Sequence, residues 1–268
     1  SVTARDQTTH HPHPDPNTMP ALPETRVIPP LIGRYRLLYP HGHGAMGTVF
    51  LVYDPELDRN VALKLPRING TDADATYTRF LAEAKAAAKL RHRDLCAIDD
   101  IGKIDDVPYY TMEFIDGTPL SVWRLEKGSA EIGVIVSIVR AVADAMCEAH
   151  EKGVVHRDLK PSNIILNRKG EPIVVDFRLA KEITRTDGSA LTETGMLFGT
   201  VGYMSPEQVS GRSDALGQAC DIWSLGIILH ELLTGHQPFR GSQSEVIAQI
   251  LRDEPGRPSA MRTDIPAE

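Results

Sequence analysis

From Gly33 onward the chain sets short β-branched or aromatic runs between turn residues: "YRLLYP", "GTVFLVYD" and "NVALKLPR". Runs of this length and spacing predict an antiparallel meander. The next stretch, "TYTRFLAEAKAAAKLRH", is rich in Ala, Leu, Glu and Lys. In it Phe80, Leu81, Ala84, Ala87, Ala88 and Leu90 recur at roughly helical spacing, which predicts a helix. Strand-like pieces return at "AIDDIG" and "PYYTMEFI". After Gly117 the pattern turns mostly helical, notably over 131–151, 219–234 and 243–252. Before Gly33 it is different again. Residues 1 to about 31 carry seven prolines, the cluster His10, His11 and His13, and few apolar side chains. That composition predicts an extended, disordered tail in which the histidines are solvated rather than metal-bound. No internal repeat is visible.

These elements predict an α+β architecture of two lobes. A disordered tail spans 1–32, a small antiparallel β-rich lobe with one helix spans 33–116, and a larger, mostly helical lobe spans 117–268. The lobes join near Glu113 to Gly117. Composition adds exclusions. At 268 residues the chain has ample length for a core, and its 41% apolar content is ordinary for a globular protein. A formal net charge of −7 argues against a nucleic-acid surface, which is normally basic. Cys96, Cys147 and Cys220 lie far apart, without the spacing of a zinc site or disulfide framework, and read as reduced intracellular thiols. The most apolar window, Ile132 to Met146, is interrupted by Arg140 and Asp144 and is too short to span a membrane. No signal peptide is present, and the first residue is Ser rather than Met, which suggests trimming.

Three constellations carry chemistry. In "GHGAMGTV", Gly42, Gly44, Gly47 and Val49 follow the order G-x-G-x-x-G-x-V, where missing Cβ atoms let backbone approach phosphate oxygens. A dinucleotide-binding fold would open a helix at the third glycine. Here a strand-like run follows, so the feature reads as a glycine-tipped hairpin. In "VALK", Lys64 ends a buried apolar run and needs an anionic partner. Glu83, on the following helix, is the natural candidate. In "VVHRDLKPSNIIL" an apolar pair leads into His156, Arg157 and Asp158, then Lys160 and Asn163. That spacing fits an aspartate accepting a hydroxyl proton and an asparagine ligating a metal. A second His-Arg-Asp triplet, His92 to Asp94, lacks the downstream lysine and asparagine and reads as a chance surface turn. Further on, "IVVDF" predicts a short buried strand delivering Asp176 and Phe177.

Taken together with "SPE" (Ser205 to Glu207) and "DIWSLG" from Asp221, these pieces make residues 34–268 resemble the eukaryotic-like protein kinase family, most like its bacterial serine/threonine branch. The resemblance implies that the glycine loop covers the ATP phosphates, that Lys64, oriented by Glu83, holds the α- and β-phosphates, and that Val49 and Ala62 enclose the adenine. Met112 falls at the gatekeeper position, and the backbones of Glu113 and Ile115 meet the adenine edge. Asp158 is implied as catalytic base, Lys160 as a neutraliser of the γ-phosphate, and Asn163 and Asp176 as Mg²⁺ ligands. Lys160 and Thr200 match the serine/threonine pattern. Arg157 beside Asp158 implies control by a phosphate on the activation loop, with Thr192 and Thr194 as acceptors. Asp221 is implied as a structural acceptor for the catalytic-loop backbone. ATP and Mg²⁺ are the implied cofactors. The implied partners are proteins bearing Ser or Thr, with room for self-association during autophosphorylation. The implied location is cytoplasmic, as a free chain or as part of a longer membrane-anchored protein.

Three positions depart from the family. Arg178 stands where glycine follows Asp-Phe, restricting the backbone and adding charge near Lys64. One outcome is a weakened or biased switch, with Arg178 competing for Glu83; the other is a side chain turned to solvent. His41 replaces an apolar residue before the glycine loop, with a mild expected effect. The sequence also stops at Glu268, before the arginine that usually pairs with the glutamate of "SPE". Glu207 is therefore expected to lack that partner, part of the large lobe's apolar surface to lie uncovered, and the chain to be a fragment of a longer protein. The reading from another class is a pseudokinase, a nucleotide-binding scaffold weakened by Arg178 and the missing helices. The presence of Lys64, Asp158, Asn163 and Asp176 favours the enzyme.

Overall fold

The computed structural model describes residues 31–44, 47–66, 73–105, 107–128, 130–177, 200–212 and 217–266. Arg178, Thr192 and Thr194 lie outside them, as do residues 1–30 of the tail expected over 1–32; its last two residues, Leu31 and Ile32, are not tail but a strand paired with Arg36 and Tyr35. The first half forms a six-stranded antiparallel sheet in the order β1-β2-β3-β4-β6-β5. Its strands are β1 (Leu31–Ile32), β2 (Tyr35–Gly44), β3 (Gly47–Asp54), β4 (Arg59–Pro66), β5 (Ile98–Ile104) and β6 (Val107–Glu113). Among the described residues of this half there is one helix, α1 (Ala73–Ala87), which packs on β5. The apolar positions read from the sequence explain its seating: Phe80, Ala84 and Ala87 are buried, and Leu81 packs against the same cluster.

The second half begins with a three-stranded sheet, β7 (Gly117–Pro119), β8 (Ile164–Asn167) and β9 (Pro172–Val174). Its helices are α2 (Leu120–Lys127), α3 (Ile132–Glu151), α4 (Pro206–Val209), α5 (Gln218–Thr234), α6 (Gln243–Arg252) and α7 (Pro258–Met261). On α3 the buried residues Ile135, Ile138, Val142, Ala145, Met146 and Ala149 form one stripe at i, i+3, i+4 and i+7, facing α5 and β9. Gly153, in the left-handed region at φ 74°, follows the end of that helix. One core cluster continues from Phe80, Tyr110 and Met112 to Leu159, Ile164, Val174 and Ile228. Leu125, Ile222, Leu251 and Met261 are exposed on the helical half.

The glycine-rich stretch is the β2–β3 hairpin, with Gly42 opposite Val49, His43 opposite Thr48 and Gly44 opposite Gly47. A register shift between Pro40 and Gly42 leaves His41 as a bulged residue. The glycines are not equivalent. Gly47 sits at φ 126°, and a Cβ there would meet the backbone oxygen of Leu65 at 2.1 Å, whereas one on Gly42 would meet nothing within 4 Å.

One carboxylate ties the two ends of the helical half together. Asp221, in the first turn of α5, has a fully buried side chain. Its Oδ2 accepts the backbone N–H of His156 at 2.8 Å and lies 2.8 Å from His150 Nε2. Its Oδ1 accepts the backbone N–H of Arg157 at 2.8 Å. Burial alone would raise the Asp221 carboxyl, but the His150 hydrogen bond and the two backbone donors outweigh it and hold the group below its ordinary value.

Two outcomes are expected. Gly47→Ala should lower thermal stability by about 1–3 kcal/mol through the left-handed strain and the clash, while Gly42→Ala should leave the melting temperature nearly unchanged. For Asp221, a depressed folded-state pKa means stability that is complete above the unfolded carboxylate pKa and lost as pH falls through the folded one. Urea midpoints of the natural chain should therefore drop below the ordinary carboxylate range. Asp221→Asn should be less stable near neutral pH and lose that part of the acid dependence. An unaltered acid limb would contradict the assignment.

Candidate active site

The residues around Asp158 are placed by backbone and side-chain hydrogen bonds rather than by regular structure. Burial lowers the His156 imidazole, which favours its neutral form. Its Nδ1 accepts the Asp158 N–H at 3.3 Å, and its Nε2 then carries the proton and donates to the Val175 carbonyl at 3.0 Å. The segment that delivers Asp158 is thereby fastened to the one that delivers Asp176. Asn163, in a short 3₁₀ turn over Pro161–Asn163, donates through Nδ2 to the Asp158 carbonyl at 2.9 Å and to Asp158 Oδ2 at 3.1 Å. The Lys160 ammonium lies 2.9 Å from Asp158 Oδ2 and 3.4 Å from Thr200 Oγ1. Asp158, Lys160, Asn163 and Thr200 thus meet in one cluster, and Asp158 is buried within it.

On the sheet side, Val49 stands opposite Lys64, and Ala62 lies between Leu51 on β3 and Met112 on β6. Ala62, Met112 and Ile115 are buried, and Glu113 is exposed. The Glu113 carbonyl accepts the Cys96 thiol at 3.4 Å. Burial, then the nearby Glu113 and Asp99, push that thiol up to about 12, so Cys96 is an inert packing residue. His41 meets the Phe114 ring edge-on, with centroids 5.3 Å apart.

The ion pairs depart from the expected pairing. Lys64 Nζ is bound to Asp176 Oδ1, not to Glu83. Glu83 Oε1 instead lies 3.4 Å from Arg157 Nη1. The cause is local. Asp176 and Arg157 both take left-handed backbone conformations, φ 68° and 65°. A buried ammonium with a carboxylate in reach does not stay unpaired. Burial pushes Lys64 down, to about 7, with Asp158 raising it and Lys160 lowering it. The contact with Asp176 favours the charged form. Arg157, expected to face a phosphate on the activation loop, is here engaged with α1.

Some participants had no signature in the sequence. Tyr110 donates its hydroxyl to Asp176 Oδ1 at 3.3 Å. Gln208 of α4 accepts the Ser205 N–H at 2.9 Å and donates to the Arg157 carbonyl at 2.7 Å. Asp221 was legible from "DIWSLG", Gln208 and Tyr110 were not. Glu207, half-buried beside Gln208, has no ion pair among the described residues. The second His-Arg-Asp triplet is a turn with Arg93 exposed, as read from the sequence, but its aspartate is not at the surface. Asp94 is buried, and its carbonyl accepts the Val174 N–H at 2.8 Å, because the neighbouring Leu95 forms a parallel bridge to β9.

The oxygen set suits a hard divalent cation. Asn163 spends its amide N–H₂ on Asp158, which leaves Oδ1 as acceptor, and both donors to Asp176 sit on Oδ1, which leaves Oδ2. No group of three or more His, Cys, Asp or Glu able to hold a metal occurs among the described residues. Two protein oxygens hold such a cation in company with substrate oxygens. No helix among the described residues is long and apolar enough to cross a membrane.

A family profile described as "Protein kinase domain" matches residues 35–264. The probable serine/threonine-protein kinase PknB of Lactococcus lactis is 40% identical over 216 residues, 80% of this chain and 34% of that protein. Serine/threonine-protein kinase PknL of Mycobacterium bovis is 36% identical over 240 residues, 89% of this chain and 59% of that one. PrkC of Bacillus subtilis is 36% identical over 86% of this chain and 35% of its own length. The chain therefore spans between 34% and 59% of these relatives. Among solved structures, the PknI kinase domain of Mycobacterium tuberculosis superposes with a TM-score of 0.66 at 26% identity, covering 87% of this chain and 83% of that one. The family implies ATP as substrate together with a divalent metal. With the sheet, the helical half and the Asp158 cluster all in place, the chain belongs to the protein kinase domain family, on the branch of its bacterial serine/threonine members.

Proposed function

We propose that this protein transfers the γ-phosphoryl group of ATP to serine or threonine hydroxyls on proteins, with Mg²⁺ as the divalent cation. The observation that carries the reading is the Asp158 cluster, a buried carboxylate with Lys160 at 2.9 Å and Asn163 at 3.1 Å on the same oxygen. In this reading the sheet-bearing half through residue 116 holds the nucleotide. Val49 and Ala62 enclose the adenine beside Met112, the backbones of Glu113 and Ile115 meet its edge, and Gly42, Gly44 and Gly47 lie over the phosphates. The half from Gly117 holds the acceptor protein near Thr200. Asn163 Oδ1 and Asp176 Oδ2 would hold a divalent cation, which would supply neutralisation of the charge on the transferring phosphoryl group.

Asp158 accepts the hydroxyl proton as the acceptor oxygen attacks. Its second oxygen, Oδ1, is not engaged by Lys160 or Asn163 and is the atom left for that task. Lys160 faces the transferring group and offsets its charge. Lys64 holds the α- and β-phosphates, which requires it to leave Asp176. Glu83 can orient Lys64 only once Arg157 releases it, and a phosphate on Thr192 or Thr194 is the partner that would draw Arg157 away. The arrangement described here is in that sense a resting one. Self-association during autophosphorylation and a cytoplasmic setting belong to the same proposal. A nucleotide-holding scaffold without transfer is not favoured, since the curated relatives compared are named kinases.

The test is phosphate incorporation from Mg-ATP with the modified residues mapped by mass spectrometry. The natural chain should label Thr192 or Thr194, and Asp158→Asn should slow labelling by about 10²–10⁴-fold. Equal labelling by Asp158→Asn would overturn the role of Asp158. Arg178→Gly should label at a rate comparable with the natural chain if the arginine is tolerated. Labelling by Arg178→Gly alone would make Arg178 the gate.

A further inference from the structure

Tyr110 stands in β6 directly opposite Lys64 in β4. Its side chain is 3% exposed, and its hydroxyl donates to Asp176 Oδ1 at 3.3 Å. The Lys64 ammonium holds the same oxygen and lies 6.0 Å from the centroid of the Tyr110 ring. On its other side the ring packs against Phe80 of α1, with centroids 6.1 Å apart, one turn before Glu83. Packing alone does not call for a hydroxyl here. Phenylalanine would fill the same space, and a phenol buried without a partner is costly. The hydroxyl has a partner, and that partner is the carboxylate on which the cation depends.

The two donors to Asp176 differ in freedom. Lys64 reaches it through a flexible four-carbon chain and is needed elsewhere once ATP binds. Tyr110 is fixed by two torsions, a strand register and the Phe80 contact, and cannot follow. We infer that Tyr110 is a positioning residue that keeps hold of Asp176 Oδ1 when Lys64 moves to the nucleotide phosphates, so that Oδ2 stays turned toward the divalent cation. The inference rests on Asp176 being the cation ligand of the proposed kinase site. It assigns Tyr110 no contact with substrate. Partners that orient a ligand from behind in this way commonly matter to metal affinity as well as to rate.

The test is equilibrium binding of a fluorescent ATP analogue to the natural chain and to Tyr110→Phe across a Mg²⁺ titration, with melting temperatures in the absence of cation. Tyr110→Phe should raise the Mg²⁺ concentration at half-saturation about three- to tenfold and leave the cation-free melting temperature within a few degrees. Tyr110→Leu, which also lacks the hydroxyl, should shift half-saturation in the same direction despite its poorer packing. Unchanged half-saturation in the folded variants, whatever their melting temperatures, would leave Tyr110 as a packing residue and overturn the inference while the proposed function stands. Nucleotide binding by the natural chain that does not respond to Mg²⁺ would overturn both.

Discussion

The active-site geometry hangs on the buried carboxylate of Asp221. It takes two consecutive backbone N–H groups, those of His156 and Arg157, and no regular element is available there to satisfy them. That pair of bonds allows Arg157 to be held at φ 65°, a conformation costly for a non-glycine residue unless its surroundings impose it. With the turn fixed, His156 faces Val175, Asp158 faces Lys160 and Asn163, and Gln208 closes on the Arg157 carbonyl. A charge on α5 thus sets the position of a carboxylate two elements away. It does so through the backbone, so the chemistry of the intervening side chains is left free.

Charge in the cleft is distributed by a second constraint. Four ionised groups, Lys64, Glu83, Arg157 and Asp176, are arranged as two pairs, Lys64 with Asp176 and Arg157 with Glu83. Each group is at least half-buried, so exchanging partners without an intermediate anion would expose an uncompensated charge to a poorly solvated site. Nucleotide phosphates are anions of the right kind to receive Lys64, and a phosphorylated hydroxyl is one to receive Arg157. In the proposed function, the physical reason for a resting state is electrostatic. Neither cation leaves its carboxylate until another anion arrives.

The sequence made most of the fold legible. The ranges 131–151, 219–234 and 243–252 were read from periodicity, and the helices fall at Ile132–Glu151, Gln218–Thr234 and Gln243–Arg252. The glycine hairpin and the grouping of Asp158, Lys160 and Asn163 were legible too, because each follows from local spacing; Thr200 reaches Lys160 only through the fold. Long-range pairing was harder. Lys64 has carboxylates on α1 and after β9 within its reach, and spacing along the chain does not rank them. The structure resolves it: Asp176, in the left-handed region, is the carboxylate that Lys64 meets. Tyr110 and Gln208 were missed for a similar reason: an alternating strand and a short helix announce burial, not the partner of a buried hydroxyl or amide.

The two His-Arg-Asp triplets separate what a motif specifies from what its surroundings do. In both, the histidine Nδ1 accepts the aspartate N–H, at 3.2 Å for His92 and 3.3 Å for His156, so the local turn is shared. The middle residues diverge: Arg157 is held in the left-handed region by Asp221, whereas Arg93 stays outside it and is largely exposed. The aspartates diverge as well. The Asp94 carboxylate lies 3.9 Å from His92 and 3.7 Å from Arg93, and burial raises it. Its backbone, not its carboxylate, does the work, pinning β9 at Val174 two residues before Asp176. One triplet therefore aligns the strand that carries a carboxylate to the cleft, and the other, given a lysine, an asparagine and a buried anchor, supplies the carboxylate proposed as the base. The three residues specify a turn. Chemistry enters with the lysine two positions beyond the aspartate, the asparagine five beyond it, and the carboxylate on α5.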